Sequence, residues 1–560
     1  MNLANHILQI APELALFAAL ALGHALGRLK FGRFSLGGVG GSLIVALVLG
    51  RLTGVEMPSE LKAVCFALFI YAVGFKSGPE FFGGLNRSSV KLVLSAVFQC
   101  VVALIAVLVI ARACGLGKGL AAGLGSGALS QTAMLGTAGD AVSRLGLAPD
   151  EMTKLNNEMA VAFAITYVFG IVGVIVFVRS IAPRLLGLDI KKAARELEAQ
   201  LGGGVEASKP GYITPFASVV ARAFEVGAGA GRTVGELTKK FERASVERLL
   251  RNDQTIEPGP DVELKSGDVV GIAGRLQGVL EAGRLVGREV ESRDALSFAA
   301  KAASVVITDK RVIGRTLGQV RALLGKENLQ GVYLSSFKRQ GLSLPILPGT
   351  EVRRGDQVEL VGRPDQVDRV AGLIGSPQLG AGKSDLAYHA FAIVAGILLG
   401  SFSVLAGGIT LTLGIGGGVL VAGLCFGWLH ARYPRFGELP GAAQWILSEL
   451  GLSAFMAAVG LTAGPKALAA IQEHGVAILL AGAAVTVVPL LCALVFGRLV
   501  LKLNPVILLG AICGGQTVAA ALNAVTEEFE SVTPVLGFTV TYAIANVLLA
   551  IWGPVIVAFT

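Results

Sequence analysis

Two blocks of apolar segments set the strongest constraint on this chain, because a helix that crosses a bilayer needs about 20 mostly apolar residues. Residues 183–383, between the blocks, are polar and charged and cannot span a membrane. The sequence therefore predicts an α-helical polytopic membrane protein with a soluble insert. The first block offers segments at 11–27, 36–52, 61–77, 90–112, 119–138 and 157–180, and the second at 386–404, 409–429, 445–463, 475–500, 505–525 and 533–558.

The composition agrees with this class and argues against others. Only 16% of the residues are charged, against about 25% in a typical soluble domain. The formal charge of +9 lies mostly in short loops beside apolar segments and in the insert, a pattern that orients membrane helices, so nucleic acid is not an expected partner. The six cysteines lie in or beside apolar runs without metal-ligand spacing, so no disulfide, metal site or cofactor is expected.

The two membrane blocks, 1–182 and 384–560, resemble each other in sequence. Four short matches occur in the same order in both blocks, with offsets of 377, 386, 385 and 375 residues. Such order indicates an internal repeat. The matches are LGGVGGSL (36–43) with LGIGGGVL (413–420), AVGFKSGP (72–79) with AVGLTAGP (458–465), Ser130-Gln131-Thr132 with Gly515-Gln516-Thr517, and Thr166-Tyr167 with Thr541-Tyr542.

Loop charge predicts that the repeats are inverted. The loop after the first segment carries Arg28, Lys30 and Arg33, whereas its counterpart at 403–409 carries no charge. Because basic loops favour the cytoplasmic side, the two loops are expected on opposite sides of the membrane. Inversion requires an odd number of crossings per half, so one of the six segments must not cross.

The fifth segment of each half, 119–138 and 505–525, is the best candidate for a re-entrant or broken helix. Both are dense in glycine and small polar residues, which an interrupted helix needs when its backbone is buried in protein. Five crossings per half then place both termini outside and the insert in the cytoplasm. The remaining basic clusters then lie inside, namely Lys76/Arg87/Lys91, Arg179/Arg184/Lys191/Lys192/Arg195, Arg432/Arg435 and Arg498/Lys502.

The soluble insert is itself a repeat. GRTVGEL (231–237) matches GRTLGQV (314–320), and SGDVVGIAGR (266–275) matches RGDQVELVGR (354–363). Two α+β modules are predicted, at 205–290 and 291–376. They resemble the TrkA-C domain, the C-terminal lobe of potassium-channel and potassium-uptake regulatory domains. The glycine cluster GAGAGR (227–232) lacks dinucleotide-binding spacing and is interpreted as a turn.

The broken segments are the predicted substrate site, because inverted-repeat carriers bind substrate where interrupted helices meet near the midplane. Glycines there allow close backbone approach, and the side chains offer hydroxyl and amide partners. A close-packed helix interface is the alternative. The candidates are Gly127, Ser130, Gln131, Thr132, Gly514, Gly515, Gln516 and Thr517, with Thr166, Tyr167, Thr541, Tyr542 and Asn546 in the following spans.

Charged and secondary candidates near these segments carry less weight. Neither segment contains an acidic residue before Asp140 and Glu527, which favours an anionic or zwitterionic organic substrate over a cation. Asn156 and Asn157 are minor candidates. Lys76 could attract an anion but fits a cytoplasmic topology signal better, and Glu158 fits an interfacial position better.

The order of membrane half, two TrkA-C modules and membrane half, with the AVG-x-x-x-GP and GGQT motifs, resembles the aspartate:alanine exchanger family of bacterial inner-membrane carriers. The resemblance covers nearly the whole chain. It implies a multi-pass inner-membrane antiporter that exchanges small anionic or zwitterionic substrates, L-aspartate for L-alanine in the founding activity, as a homodimer with elevator-type motion. A dicarboxylate is the alternative substrate, and an unknown effector could act on the modules.

Two other function classes are weaker. A potassium channel or transporter regulated by TrkA-C modules would want a TVGYG-like filter, which the sequence lacks. A membrane-embedded enzyme would want a motif such as HExxH or GxSxG, and neither is present. We therefore expect a transporter without enzymatic activity.

Overall fold

The computed structural model describes residues 11–31, 34–35, 37–55, 57–84, 89–187, 189–202, 219–241, 244–325, 328–329, 331–377, 383–406, 409–412 and 414–560. The chain divides into two compact units, a discontinuous one of Met1–Ala194 with Gly382–Thr560 and a continuous one of Arg195–Ala381. This division agrees with a soluble region inserted between two membrane regions. Arg33 and Arg87, predicted cytoplasmic charges, lie outside the described residues, as does the start of the first predicted module.

The described residues of the first membrane region form helices and one pair of short antiparallel strands. Proline at the first turn marks the start of the first and seventh helices, where its missing N–H costs nothing. The elements are α1 (Pro12–Gly27), β1 (Lys30–Phe31), β2 (Phe34–Ser35), α2 (Gly37–Thr53), α3 (Ser59–Gly84), α4 (Val90–Ala113), α5 (Lys118–Ala128), α6 (Thr132–Ser143), α7 (Pro149–Val176), a π-helical turn (Phe177–Ile181), α8 (Ala182–Leu186) and α9 (Ile190–Leu201).

The second membrane region repeats the order of the strand pair, the long helices and the broken helix, but its π-helical turn precedes the broken helix and does not follow the last long helix. The predicted segments 445–463 and 475–500 lie in one continuous helix, α17, and each coincides with a separate stretch that is long and apolar enough to cross a membrane, Gly441–Pro465 and Gly475–Val500. The connecting residues are rich in alanine and leucine, which favour helix. The elements are α15 (Leu386–Ser401), β13 (Ser403–Ala406), β14 (Ile409–Thr412), α16 (Gly414–Arg432), α17 (Gly441–Val495), a π-helical turn (Phe496–Val500), α18 (Pro505–Gly515), α19 (Ala519–Phe529) and α20 (Val535–Phe559).

Within the described residues, seven helical stretches are long and apolar enough to cross a membrane. They support a multi-pass membrane protein. Helices α1, α2 and α15 are apolar but have 16 or 17 residues, so five crossings per half and inversion of the repeats stay predictions. The seven are Ser59–Gly84, Val90–Ala113, Pro149–Leu186, Gly414–Arg432, Gly441–Pro465, Gly475–Val500 and Val535–Phe559.

The AVG-x-x-x-GP motifs pack helices at backbone distance. A Cβ added at Gly78 of α3 would lie 2.2 Å from Leu424 O of α16 and overlap it. A Cβ added at Gly464 of α17 would lie 2.5 Å from Leu47 O of α2 and overlap it likewise. The motif in each half thus contacts the glycine-rich helix of the other half. Small residues allow this close approach in lipid, where apolar burial gives little driving force.

The soluble unit contains two modules with one topology. Each has a five-stranded sheet, in the order β5-β4-β6-β3-β7 and β10-β9-β11-β8-β12, so the predicted α+β repeat is seen in the structure. The elements are β3 (Val219–Val226), α10 (Val234–Lys240), β4 (Ala244–Arg251), β5 (Gln254–Ile256), β6 (Val269–Arg275), α11 (Leu276–Val286), β7 (Gly287–Val290), α12 (Arg293–Leu296), β8 (Lys301–Ile307), α13 (Leu317–Leu324), β9 (Val332–Arg339), β10 (Leu342–Ser343), β11 (Gln357–Gly362), α14 (Pro364–Ile374) and β12 (Gly375–Pro377).

Equivalent polar contacts mark the two modules. Arg251 Nε donates to Asp268 at 2.9 Å, and Arg339 Nε donates to Asp356 at 2.7 Å. Each aspartate follows a glycine with a left-handed backbone, Gly267 with φ of 85° and Gly355 with φ of 83°, within the SGD and RGD strings that match between the modules. Residues 227–232 form a turn after β3, as interpreted from the sequence.

Candidate functional site

The two predicted broken segments have the same backbone course. α5 is followed after three residues by α6, and α18 is followed after three residues by α19. In each gap one residue is left-handed, Ser130 with φ of 53° and Thr517 with φ of 57°. Non-glycine residues seldom adopt these values, and they collect at functional sites. The prediction of broken helices is confirmed, whereas a re-entrant path through the membrane stays a prediction.

A glycine before each break packs against a threonine of the following long helix. A Cβ at Gly127 would overlap Thr166 Oγ1 of α7, and a Cβ at Gly514 would overlap Thr541 Oγ1 of α20. Each threonine hydroxyl donates to a carbonyl of its own helix, at 2.8 Å and 3.0 Å respectively. These four predicted site residues therefore hold helices together, and both hydroxyls are engaged by backbone.

The tyrosines beside these threonines make a second matched contact. Tyr167 stacks on Phe163 with ring centroids 5.0 Å apart, and Tyr542 stacks on Phe538 at 4.9 Å. Both pairs lie one turn along a single helix face. The aromatic rings therefore pack along α7 and α20, next to the breaks.

These contacts correct the repeat alignment at the breaks. The two packed glycines are 387 residues apart, and so are the left-handed Ser130 and Thr517. Pairing Gln131 with Gln516 requires an offset of 385 and is wrong as a structural equivalence. Gln516 comes before the left-handed residue and Gln131 comes after it, so the structural counterpart of Gln131 is Val518.

The side chain of Gln131 caps the start of α6. Its Oε1 accepts a hydrogen bond from Ala133 N at 3.3 Å and so caps the start of α6, while its Nε2 donates to Asn546 Oδ1 at 3.3 Å. Asn546 Nδ2 donates in turn to Tyr542 O at 2.8 Å. Both ends of the Gln131 amide are occupied, and the side chain is 4% exposed.

Gln516 connects the two breaks. Its Oε1 accepts from Gln99 Nε2 at 3.1 Å, and its Nε2 donates to Ala128 O, at the end of α5, at 3.5 Å. Ala128 O also accepts from Thr486 Oγ1 of α17 at 2.9 Å. The structure therefore brings the two broken segments into contact, as a site built from both requires.

Gln99 of α4 contacts the candidate site and was not predicted from the sequence. Its Nε2 also donates to Ile512 O of α18 at 3.2 Å, and it is 1% exposed. Its Oε1 faces Gly515, where a Cβ would overlap it. The available signal was a lone amide in an otherwise apolar span, which in lipid demands a protein partner.

Three buried polar atoms at the breaks have no hydrogen-bond partner among the described residues, namely Gln99 Oε1, Ser130 Oγ and Thr517 Oγ1. Leaving such an atom unpaired costs about 1–3 kcal/mol. The amides described above contact backbone or other uncharged side chains. The breaks thus supply a neutral set of amide, hydroxyl and backbone groups, with spare acceptors.

The other predicted residues lie around this set. Thr132 is buried as the first residue of α6. Lys76 is exposed on α3, Asn156 donates to a carbonyl of its own helix at 3.0 Å, and Glu158 lies 3.9 Å from Lys154 of its own helix. No cluster of three His, Cys, Asp or Glu suited to a metal ion occurs within the described ranges.

Comparison with known families decides the class. The sequence model Asp-Al_Ex, described as "Predicted Permease Membrane Region", matches residues 15–183 and 388–558, and a TrkA-C domain model matches residues 222–287. This chain belongs to the aspartate:alanine exchanger family. Both broken segments of this exchanger-family protein lie inside the matched membrane regions, and the first soluble module corresponds to the matched TrkA-C domain.

Relatives of this family member match along its whole length. An uncharacterized transporter of Bradyrhizobium diazoefficiens is 39% identical over 562 residues, covering 100% of both chains. One from Zymomonas mobilis is 36% identical over 556 residues, covering 99% of this chain and 98% of the relative. One from Bordetella parapertussis is 40% identical over 566 residues, covering 99% and 97%. No solved structure matches the chain.

Proposed function

We propose that this protein is a secondary antiporter that exchanges small carboxylate-bearing substrates, with L-aspartate and L-alanine as the leading pair. The observation that carries the proposal is the meeting of two broken helices through Gln516, with three buried polar atoms left unpaired beside them. Family membership and relatives named as transporters support the class. Uncharged polar groups and helix ends suit a zwitterionic or anionic solute.

The start of α19 is the proposed carboxylate position. Val518 precedes this helix without a side-chain cap, whereas Gln131 caps the start of α6. Ala519 and Ala520, in the first turn, are exposed. Free N–H groups at a helix start attract a carboxylate. A spare acceptor nearby, Gln99 Oε1 or Thr517 Oγ1, would receive the substrate ammonium group.

The two breaks differ in exposure, which fits alternating access. The first turns of α6 are buried, whereas α19 has an exposed face at Ala519, Ala520 and Asn523. In the topology predicted from loop charge, α19 opens to the cytoplasm and α6 to the outside. The described conformation is then inward-facing, in the inner membrane, with cytoplasmic TrkA-C modules and both termini outside. An elevator-type homodimer follows the family expectation.

Counterflow in proteoliposomes tests the proposal. Vesicles holding the full chain are preloaded with unlabelled L-aspartate, L-alanine or succinate, and uptake of labelled L-aspartate is measured. We expect L-aspartate and L-alanine to drive uptake, and empty vesicles to show none. Uptake driven by succinate with equal strength points to the dicarboxylate alternative. No uptake with any of the three solutes rejects this substrate class, and single-channel currents would indicate a channel.

A further inference from the structure

The carboxylate of Asp140 on α6 holds the start of a helix from the other half. Asp140 Oδ2 accepts a hydrogen bond from Gly416 N at 2.9 Å, and α16 begins at Gly414. Gly416 N–H is one of the first N–H groups of a helix, which have no partner inside that helix. The negative charge also lies at the positive end of the α16 dipole. Asp140 therefore fastens α6 to α16 in the described conformation.

The structural counterpart of Asp140 makes no such contact. The offset of 387 that relates the two breaks pairs Asp140 with Glu527 on α19. Glu527 is exposed, and its carboxylate has no hydrogen bond or ion pair in the part of the chain that the structure describes. The counterpart of α16 is α2, which starts at Gly37, and both helix starts are left-handed glycines with φ of 73° and 69°. Both halves thus carry a carboxylate and a glycine helix start at corresponding places, and the structure shows the contact in one half.

We propose that Asp140 and Glu527 are alternating positioning residues of the transport cycle. In the described state Asp140 holds α6 against the start of α16, and Glu527 on α19 makes no equivalent contact. In the opposite state Glu527 holds α19 against the start of α2, and the hydrogen bond from Gly416 N to Asp140 is broken. This inference rests on the proposed alternating access, but it is independent of which solute is carried.

The arrangement around Asp140 explains why a carboxylate is required. Gly416 is fixed by the glycine-rich start of α16, and Gly414 leaves space for the carboxylate, since a Cβ there would lie 3.3 Å from Asp140 Oδ2. Arg144, which directly follows α6, contributes a positive charge beside it. An asparagine would keep one acceptor oxygen but lose the attraction to the dipole, and an alanine would lose both.

Cysteine accessibility at two equivalent positions tests the exchange of contacts. Thr132, at the start of α6, is buried, and Ala519, 387 residues later at the start of α19, is exposed. Thr132→Cys and Ala519→Cys are introduced separately into the full chain. Labelling by a membrane-impermeant maleimide is followed at each site by peptide mass spectrometry, which separates them from the six native cysteines.

In the parent we expect Cys at 519 to react and Cys at 132 to stay protected. Adding Asp140→Ala should raise labelling at 132 about tenfold and lower it at 519, the effect of losing one charge-assisted hydrogen bond. Glu527→Gln should leave both labelling rates unchanged and slow exchange about tenfold, because only the opposite state loses its contact. Asp150→Asn, an exposed carboxylate at the start of α7, is the matched control.

Two results overturn the inference. The first is a position 132 that stays as protected in Asp140→Ala as in the parent. The second is an equal rise in the Asp150→Asn control. If Asp140→Ala is not monodisperse, Asp140→Asn preserves the packing and should change labelling at 132 and 519 in the same directions but by less, because it keeps one acceptor oxygen. A labelling shift without exchange of aspartate, alanine or succinate would reject the proposed substrates and retain the alternating contacts.

Discussion

The two broken helices have the same framework but different polar chemistry. In both, a glycine before the break packs on a threonine, one left-handed residue turns the chain, and a tyrosine stacks one helical turn away. At the first break Gln131 caps its own helix, whereas at the second the equivalent Val518 cannot cap. The framework is therefore shared by the repeats, and the polar contacts at the break are specific to each half.

This difference shows which repeated residues are architectural. Thr166 and Thr541 recur at equivalent positions because they fill the space left by the glycines. The two glutamines recur only in sequence, two residues apart in structural register. At the breaks, repetition in the sequence is thus a guide to helix packing and not to equivalent side-chain hydrogen bonds.

The shared framework predicts the largest effect. Gly127→Val and Gly514→Val should each prevent recovery of monodisperse protein, because the added atoms overlap a threonine and backbone atoms that cannot move aside. Overpacking of this kind costs about 1–3 kcal/mol or more. Size-exclusion chromatography in detergent measures the result. Gly83→Ala on α3, where a Cβ meets nothing within 4 Å, is the control, and normal recovery of both valine variants would refute a common framework.

The different glutamines predict the next largest effect. Gln516→Leu should reduce counterflow at least tenfold while the protein stays monodisperse, because Gln99 and Ala128 O lose a buried partner, at a cost of about 1–3 kcal/mol. Gln131→Leu removes one helix cap, worth about 1 kcal/mol, and should reduce counterflow less. Equal losses in the two variants would argue that the breaks act alike.

Val518→Gln would make the second break resemble the first. A glutamine at this position can cap α19 as Gln131 caps α6, and it would then compete with the substrate carboxylate for the same N–H groups. We expect KM for L-aspartate to rise about fivefold, since a cap is worth about 1 kcal/mol. Val518→Leu is the matched control for size. An unchanged KM places the carboxylate elsewhere.

The threonine hydroxyls predict the smallest effect. Thr166→Val and Thr541→Val keep the side-chain volume that packs against Gly127 and Gly514. They remove only a hydroxyl that donates a hydrogen bond to a carbonyl of its own helix. Such local side-chain-to-backbone bonds contribute little net stability, so exchange rates should stay within about twofold of the parent. A tenfold loss in either variant would return that hydroxyl to the substrate site.

Much of the architecture could be read from the sequence. Apolar length and loop charge defined the membrane regions and the insert, and glycine density located both breaks. The register that relates the two breaks could not be predicted from the sequence. The SQT and GQT strings align with an offset of 385, but the positions of the helix ends and of the packed glycines give 387, and these positions are known only from the structure. Gln99 was missed because a single amide in an apolar helix forms no sequence pattern.

Close glycine-to-backbone contacts also sort the helices into two mechanical sets. One joins α1, α2, α3, α15, α16 and the first part of α17, and the other joins α5 with α7, α18 with α20, and α6 with α20. Between the sets, contacts run through side chains such as Phe66, which fills the space beside Gly136 and Gly416. Side chains can change rotamer without moving backbone. A displacement of one set of helices against the other along this boundary therefore meets the least steric resistance. The Phe66 side chain, which lies at the boundary, would have to change its contacts in such a movement.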